Sequence, residues 1–359
     1  MLRLVPRIEA DPKLVIAAPI VAALAALLLA AVPIALAGAP VIEAYRVMAE
    51  GALGSRFALT EVVARATPLM LTGLAVAVAF RARLYNIGAE GQLYMGALAA
   101  VWVGSGRFDG PAPVMIAAVL VAGALAGALM MLGPTLLKVK LGADEVVVTL
   151  LLNFVVALFV QMMIEGPMKD PMSLGWPQTE AILDSATLPK LIDKTRVHAG
   201  LIVALLAALG VHLMMKHTVV GFEIRAVGAG PQAARFAGMN VTAAMVTVGA
   251  LSGALAGLAG VGEVAGLKGY LTADLSPGYG YAGIVVAMLA GLSPLGVVIA
   301  ALWVAAVFVG ADSMSRSINV SSYVANLIVA LALLSVLLSG VLVRFRLVRA
   351  RAPQRRTER

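Results

Sequence analysis

The 359-residue sequence has no cysteine and only three histidines, His198, His212 and His217. The first absence excludes disulfides and thiolate metal sites. No His is spaced with a carboxylate so as to build a metal centre. Charged residues are scarce at 13% and aromatics at 5%, and no nucleophile–base set stands out. No Gly-Lys dipeptide occurs, so the chain has no phosphate-binding Gly-x-x-x-x-Gly-Lys-[Ser/Thr] loop.

What is abundant is apolar. Hydrophobic residues make up 61% of the chain and the mean hydropathy is +0.98, well beyond the roughly 45–50% apolar content of soluble domains. They come in runs such as Leu14–Leu36, Val114–Leu137 and Val324–Val343, each long enough for the ~20 residues a spanning helix needs. The 36 glycines include Gly123-Ala-Leu-Ala-Gly127 and Gly249-Ala-Leu-Ser-Gly253-Ala-Leu-Ala-Gly257. Small residues at this spacing let helices approach closely in lipid. The sequence therefore reads as an all-α, polytopic transmembrane helical bundle.

The formal net charge of +8 does not call for nucleic acid. Seven Arg fall in the last sixteen residues, directly after the final apolar run, where the positive-inside rule and anionic lipid anchor a cytoplasmic tail. The first apolar run, followed by Ala35-Leu-Ala-Gly-Ala39, is longer than a usual signal-peptide core and precedes further spans. An uncleaved first helix is expected.

About ten spans follow: 14–37, 62–80, 87–104, 112–137, 145–164, 198–215, 241–261, 280–292, 294–311 and 323–343. With the N-terminus inside, 17 of the 27 basic residues fall on cytoplasmic segments, so both ends lie inside. The expected organisation is a cytoplasmic N-terminus (1–13), a transmembrane domain (14–343) and a basic cytoplasmic tail (344–359). The transmembrane domain includes an outside loop (165–197) and an inside loop (216–240). Residues 280–311 are too long for one helix and short for two full spans. Pro294 predicts a hairpin turning at Gly291–Gly296, with a short first arm.

The proline-rich loop 165–197 reads as an ordered extracytoplasmic cap or partner-docking surface or, equally, as an ordinary linker. The inside loop is more telling. In Gly221-Phe-Glu-Ile-Arg225-Ala-Val-Gly-Ala-Gly-Pro231-Gln-Ala233-Ala234-Arg235-Phe236-Ala-Gly238, Pro231 suits the first turn of a short helix and Gly238 suits its end. Two short elements carrying Arg225, Arg235 and Phe236 make a dock for a soluble partner.

This loop resembles the coupling loop of ABC importer permeases, whose Ala-Ala pair and following Gly sit at the ATPase contact; the matching positions are Ala233, Ala234 and Gly238. The stretch 66–94, with Asn86-Ile-Gly-Ala-Glu90-Gly-Gln92, looks like the permeases of bacterial nucleoside and simple-sugar ABC importers. Gly142-Ala-Asp144-Glu145-Val-Val-Val-Thr149-Leu-Leu-Leu-Asn153 looks like the segment that follows in the same branched-chain amino acid/ribose-type permease family, nucleoside-type branch. The resemblance covers residues 60–345. It implies a fold like that of type II ABC importers, with short or broken helices. It also implies an ATPase subunit that binds ATP and Mg²⁺, a second permease subunit and an extracytoplasmic substrate-binding protein, in the bacterial inner membrane. The chain itself would then carry no cofactor, no metal and no catalytic residue.

Read physically, Asn86–Gln92 places polar side chains between two apolar runs. Either a broken helix turns Asn86, Glu90 and Gln92 towards a substrate, or the segment is a cytoplasmic turn held by Arg81 and Arg83, with Glu90 capping the next helix. Asp144 and Glu145 suit a helix N-terminus. Asn153, and less so Gln161, either lines a pathway or bonds another helix. Phe80, Tyr85, Tyr94, Phe154, Tyr279 and Tyr281 are candidates to stack on a base, Tyr279-Gly-Tyr281 foremost; the alternative for each is a core or interfacial-belt residue. The competing reading is an ion-coupled secondary transporter, for which Glu90 is the chief membrane carboxylate.

Overall fold

The computed structural model describes residues 2–6 and 12–349. Arg7 and the four tail arginines beyond residue 349 lie outside the described residues.

The helices, in chain order, are α1 (Pro12–Leu36), α2 (Val41–Leu53), α3 (Arg56–Arg81), α4 (Ala89–Gly104), α5 (Ala112–Leu141), α6 (Glu145–Glu165), α7 (Gly200–His217), α8 (Val219–Ala229), α9 (Pro231–Phe236), α10 (Val241–Glu263), α11 (Tyr279–Leu289), α12 (Pro294–Ser317) and α13 (Ser322–Arg344). Each of the ten predicted spans coincides with one of them. Among the described residues, six are long and apolar enough to cross a membrane, or seven if a bent pair counts as one span. Of the remainder, α4 has 16 residues and α11 has 11. The amphipathic α2 was not expected, because Glu43, Arg46 and Glu50 interrupt its apolar residues.

The chain divides into two compact units, 1–47 with 311–359, and 48–310. In the first, α1 packs on α13. A 116° bend separates Leu24–Leu36 from α2, and the Tyr45 hydroxyl donates to the Leu27 carbonyl. A short β1 (Leu2–Pro6) pairs antiparallel with β2 (Phe345–Arg349), a detail the all-α expectation lacked.

In the second unit α3, α4 and α10 form the core, with α5 against α10. The glycine spacing permits this. A Cβ on Gly127 would stand 2.2 Å from the Gly253 carbonyl, and one on Gly257 would stand 2.2 Å from that of Gly123. No side chain fits there, so the backbones touch. Helix starts are capped in sequence: Ser55 accepts from the Ala58 amide, Asp144 from Val146, Thr218 from Gly221 and Asn240 from Ala243. Gly142, at φ 68°, ends α5.

Loop 166–199 is ordered against the end of α4 and the segment that follows α10. Its Thr179, Ile182 and Leu188 amides donate to the carbonyls of Leu271, Gly269 and Ala265, and Leu183 to Gly104. At the opposite end, α11 turns into α12 through Gly291 and Leu292, both at positive φ. Arg81 donates there to the Leu292 carbonyl. The short-armed hairpin is thus present.

Candidate functional site

The segment between α3 and α4 is extended, and its backbone donors need partners. Helix α6 supplies them from one stripe. Glu145, Thr149 and Asn153 recur every four residues and so lie on one face. Glu145 accepts from the Tyr85 amide (3.1 Å), Thr149 from Ile87 (3.2 Å) and Asn153 from Gly91 (2.9 Å). Lys138 of α5 holds this end by donating to Glu145 and to the Arg83 carbonyl; Arg83 itself sits at φ 56°. Thr149 and Asn153 lie four and eight residues beyond Glu145, so the segment rises about 6 Å along α6 by Ile87 and about 12 Å by Gly91, in the first turn of α4. Asn86 and residues 88–92 are buried, and Ile87 is half-buried.

Asn86 and Gln92 are 0% and 1% exposed. The Asn86 amide donates to Gln92 Oε1 (2.8 Å) and to Ser252 Oγ of α10 (2.9 Å), while its Oδ1 accepts from Gln92 Nε2 and the Gly88 amide. Ser252 donates onward to the Ala75 carbonyl of α3. Both side-chain polar atoms of Asn86 are engaged, which makes the pair a brace between α3, α4 and α10 in this conformation.

Glu90 stands apart. It is buried in the first turn of α4, and its Oε2 accepts from the Gly280 amide in the first turn of α11 at 2.6 Å. A Cβ on Gly280 would come within 2.2 Å of the Glu90 nitrogen. The N-termini of two short helices therefore converge on one carboxylate, each offering it a positive dipole end. Beside them Asn153 Nδ2 donates to the Ile87 carbonyl (3.0 Å) and to the Tyr281 hydroxyl (3.2 Å). Tyr281 is 42% exposed. Glu90, Asn153 and Tyr281 are thus brought together; Asn86 and Gln92 lie behind them.

The other aromatic candidates scatter. Tyr94 braces the loop before α11, donating to the Ala273 carbonyl and accepting from the Ser276 amide. Tyr279 meets Phe308 and Phe80 meets Tyr85, while Phe154 is exposed. Gln161 pairs with Glu165 along α6.

The second candidate region sits at the Arg81 end. A Cβ on Gly228 of α8 would meet the Arg81 carbonyl at 1.8 Å, so α8 rests on the end of α3. Gly230 breaks the chain and Pro231 opens α9. Gly238, at φ 82°, closes it with its amide on the Arg235 carbonyl. Ala234 is buried, whereas Arg225, Ala233, Arg235 and Gly238 are exposed and Phe236 is 94% exposed. Pro231, Gln232, Arg235 and Phe236 line an open hollow of about 520 Å³.

The family model described as "Branched-chain amino acid transport system / permease component" matches residues 58–342. The chain belongs to this permease family. Several relatives span nearly the whole chain. The permease is 37% identical to the glucose ABC transporter permease protein TsgB13 of Haloferax volcanii, over 96% of this chain and 93% of that one. It is also 37% identical to the guanosine ABC transporter permease protein NupP of Bacillus subtilis (91% and 94%). With the nucleoside ABC transporter permease protein NupB of Lactococcus lactis the identity is 32% (83% and 84%). It is a multi-pass membrane protein and a transport subunit of the ABC permease type.

Sequence reasoning missed several polar residues of the permease. Ser252 is hidden in a stripe of small residues where it reads as packing. Glu263 falls two residues beyond the predicted span, yet the structure buries it at the end of α10. His198, in the loop before α7, accepts from the Gly200 amide at 3.1 Å and is wedged against Gly262 and Gly266. Burial lowers its pKa to about 4. Asp274, in the loop before α11, is held below the usual carboxylate range by the Thr272 hydroxyl.

Proposed function

We propose that this permease forms the membrane-spanning, non-catalytic pathway of an ATP-driven importer carrying nucleosides or related sugar-containing solutes across the bacterial inner membrane. The observation that carries this is Glu90 at the meeting of two helix N-termini. Such a junction at membrane depth is a ready anion site. Here a protein carboxylate already occupies it, so the solute accepted beside Asn153 and Tyr281 is uncharged. A neutral nucleoside fits: its hydroxyls and base edge match the amide and carboxylate, and its base can stack on the half-exposed Tyr281 ring. Guanosine and nucleoside permeases among the relatives support the same choice. A simple sugar such as a pentose is the second reading, favoured by the equally similar glucose permease.

In this reading the Arg81 end is cytoplasmic, as are both termini and the basic tail, and loop 166–199 faces the outside, where a substrate-binding protein delivers solute. The ATPase, holding ATP and Mg²⁺, docks on α8 and α9 through Arg225, Ala233, Arg235, Phe236 and Gly238, with Ala234 packed beneath. A second, homologous permease completes the pathway, and lipid covers the apolar outer faces of α5 to α7. Reconstitution tests it: liposomes bearing the permease pair, ATPase and binding protein should take up labelled guanosine only with ATP inside the ATPase compartment. Uptake by the permease alone under an ion gradient would restore the secondary-transporter reading.

A further inference from the structure

At the end of the second unit away from Arg81, a cavity of about 200 Å³ opens between the start of α3, the end of α10 and the segment leading into α11. Three acids and three bases line it: Glu61, Glu263, Asp274, Arg65, Arg196 and Lys268. Some are paired, Arg196 with Glu61 Oε2 at 3.3 Å and Lys268 with Asp274 at 3.8 Å. Two acceptors are not. Glu61 Oε1 and Glu263 Oε1 are buried and accept no hydrogen bond from the described residues, and Glu263 is only 4% exposed. A buried polar atom without a partner is costly, and a carboxylate oxygen can only be satisfied by a donor.

The charge balance of three against three disfavours an ion of either sign, which leaves an uncharged ligand rich in donors. Hydroxyl groups meet this need, and Leu267, Leu275 and Pro277 in the lining supply apolar contacts for the carbon skeleton that bears them. Size narrows the choice. The cavity holds roughly seven waters at ~30 Å³ each and is smaller than the roughly 300–1,000 Å³ that enclose drug-sized ligands. It takes one hydroxylated ring, not a whole nucleoside. A single π-helical turn, Val264–Lys268, delivers Leu267 and Lys268 into it, and such turns recur at functional positions.

We propose that this cavity is a subsite for the sugar ring of the transported solute, separate from the Asn153–Tyr281 site; the proposal rests on the solute being sugar-bearing. Tyr279 and Tyr281 are two residues apart, about 200° around α11, so the two sites use opposite sides of that helix. Gly280 between them is the residue that meets Glu90.

The test uses the assembled transporter in nanodiscs without binding protein, probed with radiolabelled D-ribose. Saturable binding, weakened at least tenfold in Glu263→Gln and in Glu61→Gln, is expected. In the wild type, ribose should also protect the Glu61 and Glu263 peptides from carbodiimide-driven amine labelling read by mass spectrometry, a measurement that needs no variant to fold. Absence of ribose binding, equal affinity in both variants, or labelling unchanged by ribose overturns the proposal. Guanosine uptake that persists without ribose protection removes this subsite alone. Ribose protection in a transporter that moves neither nucleosides nor sugars removes the transport reading alone.

Discussion

Asn86 and Glu90 lie four residues apart on the same polar segment, yet their surroundings assign them different work. Asn86 spends all its hydrogen-bonding capacity on Gln92, Ser252 and Gly88. Asn86→Ala therefore strands buried partners, at about 1–3 kcal/mol. It should lower the thermal midpoint of the detergent-solubilised permease and reduce uptake only in proportion to the folded protein left. Glu90 and Tyr281 predict the reverse. Glu90→Gln, which keeps an acceptor for the Gly280 amide, and Tyr281→Ala should cut guanosine uptake more than tenfold in a complex that still assembles and keeps its thermal midpoint within a few degrees. If Asn86→Ala keeps full stability but loses uptake, Asn86 lines the pathway after all.

At the scale of elements, the sequence was most readable where a residue answers to its own helix. Apolar runs marked ten of the helices, six or seven of them long and apolar enough to cross a membrane; Pro294 marked the hairpin, and Pro231 with Gly238 bracketed α9. The glycine pairs 123/127 and 253/257 announced a close helix contact, so Gly127→Leu, which drives a side chain into the Gly253 carbonyl, should prevent α5 docking on α10. The loss would be read as aggregation on size exclusion. What the sequence hid were partners distant in the chain. Nothing local says that Glu145, Thr149 and Asn153 serve the amides of 85, 87 and 91, or that Gly280 meets Glu90 across 190 residues.

The buried His198 is of the same hidden kind, and it carries a pH signature. Its folded pKa of about 4 lies below the ordinary 6.5, so the unfolded chain binds the proton more readily. Stability from this group is complete above pH 6.5 and is lost as pH falls towards 4, by about 3 kcal/mol at ~1.4 kcal/mol per unit. Thermal midpoints measured across that window should fall in the wild type and flatten in His198→Gln. An equal slope in both would assign the acid sensitivity to other groups.

For the whole molecule the question is how work enters a chain that has no phosphate-binding loop. Helix α9 is six residues long, too short to stand alone in water. It is held by its flanking glycines and by Ala234 packed inward, while Phe236 stands almost fully exposed next to Arg235. An exposed aromatic and an arginine beside an open hollow are the residue types that anchor interfaces, and α8 passes directly from this hollow to the end of α3 at Arg81. A continuous run of contacts thus links α9 through α8 to α3, and α3 to α11, where the Thr72 hydroxyl donates to the Tyr279 carbonyl at 3.0 Å. Arg235→Ala combined with Phe236→Ala should leave membrane insertion and the thermal midpoint unchanged. It should lower ATP-dependent guanosine uptake at least tenfold while ATP hydrolysis continues without stimulation by the loaded binding protein. Uptake at the wild-type rate in the double variant would move the dock off α9 and leave α8, through Arg225, as the remaining contact to test.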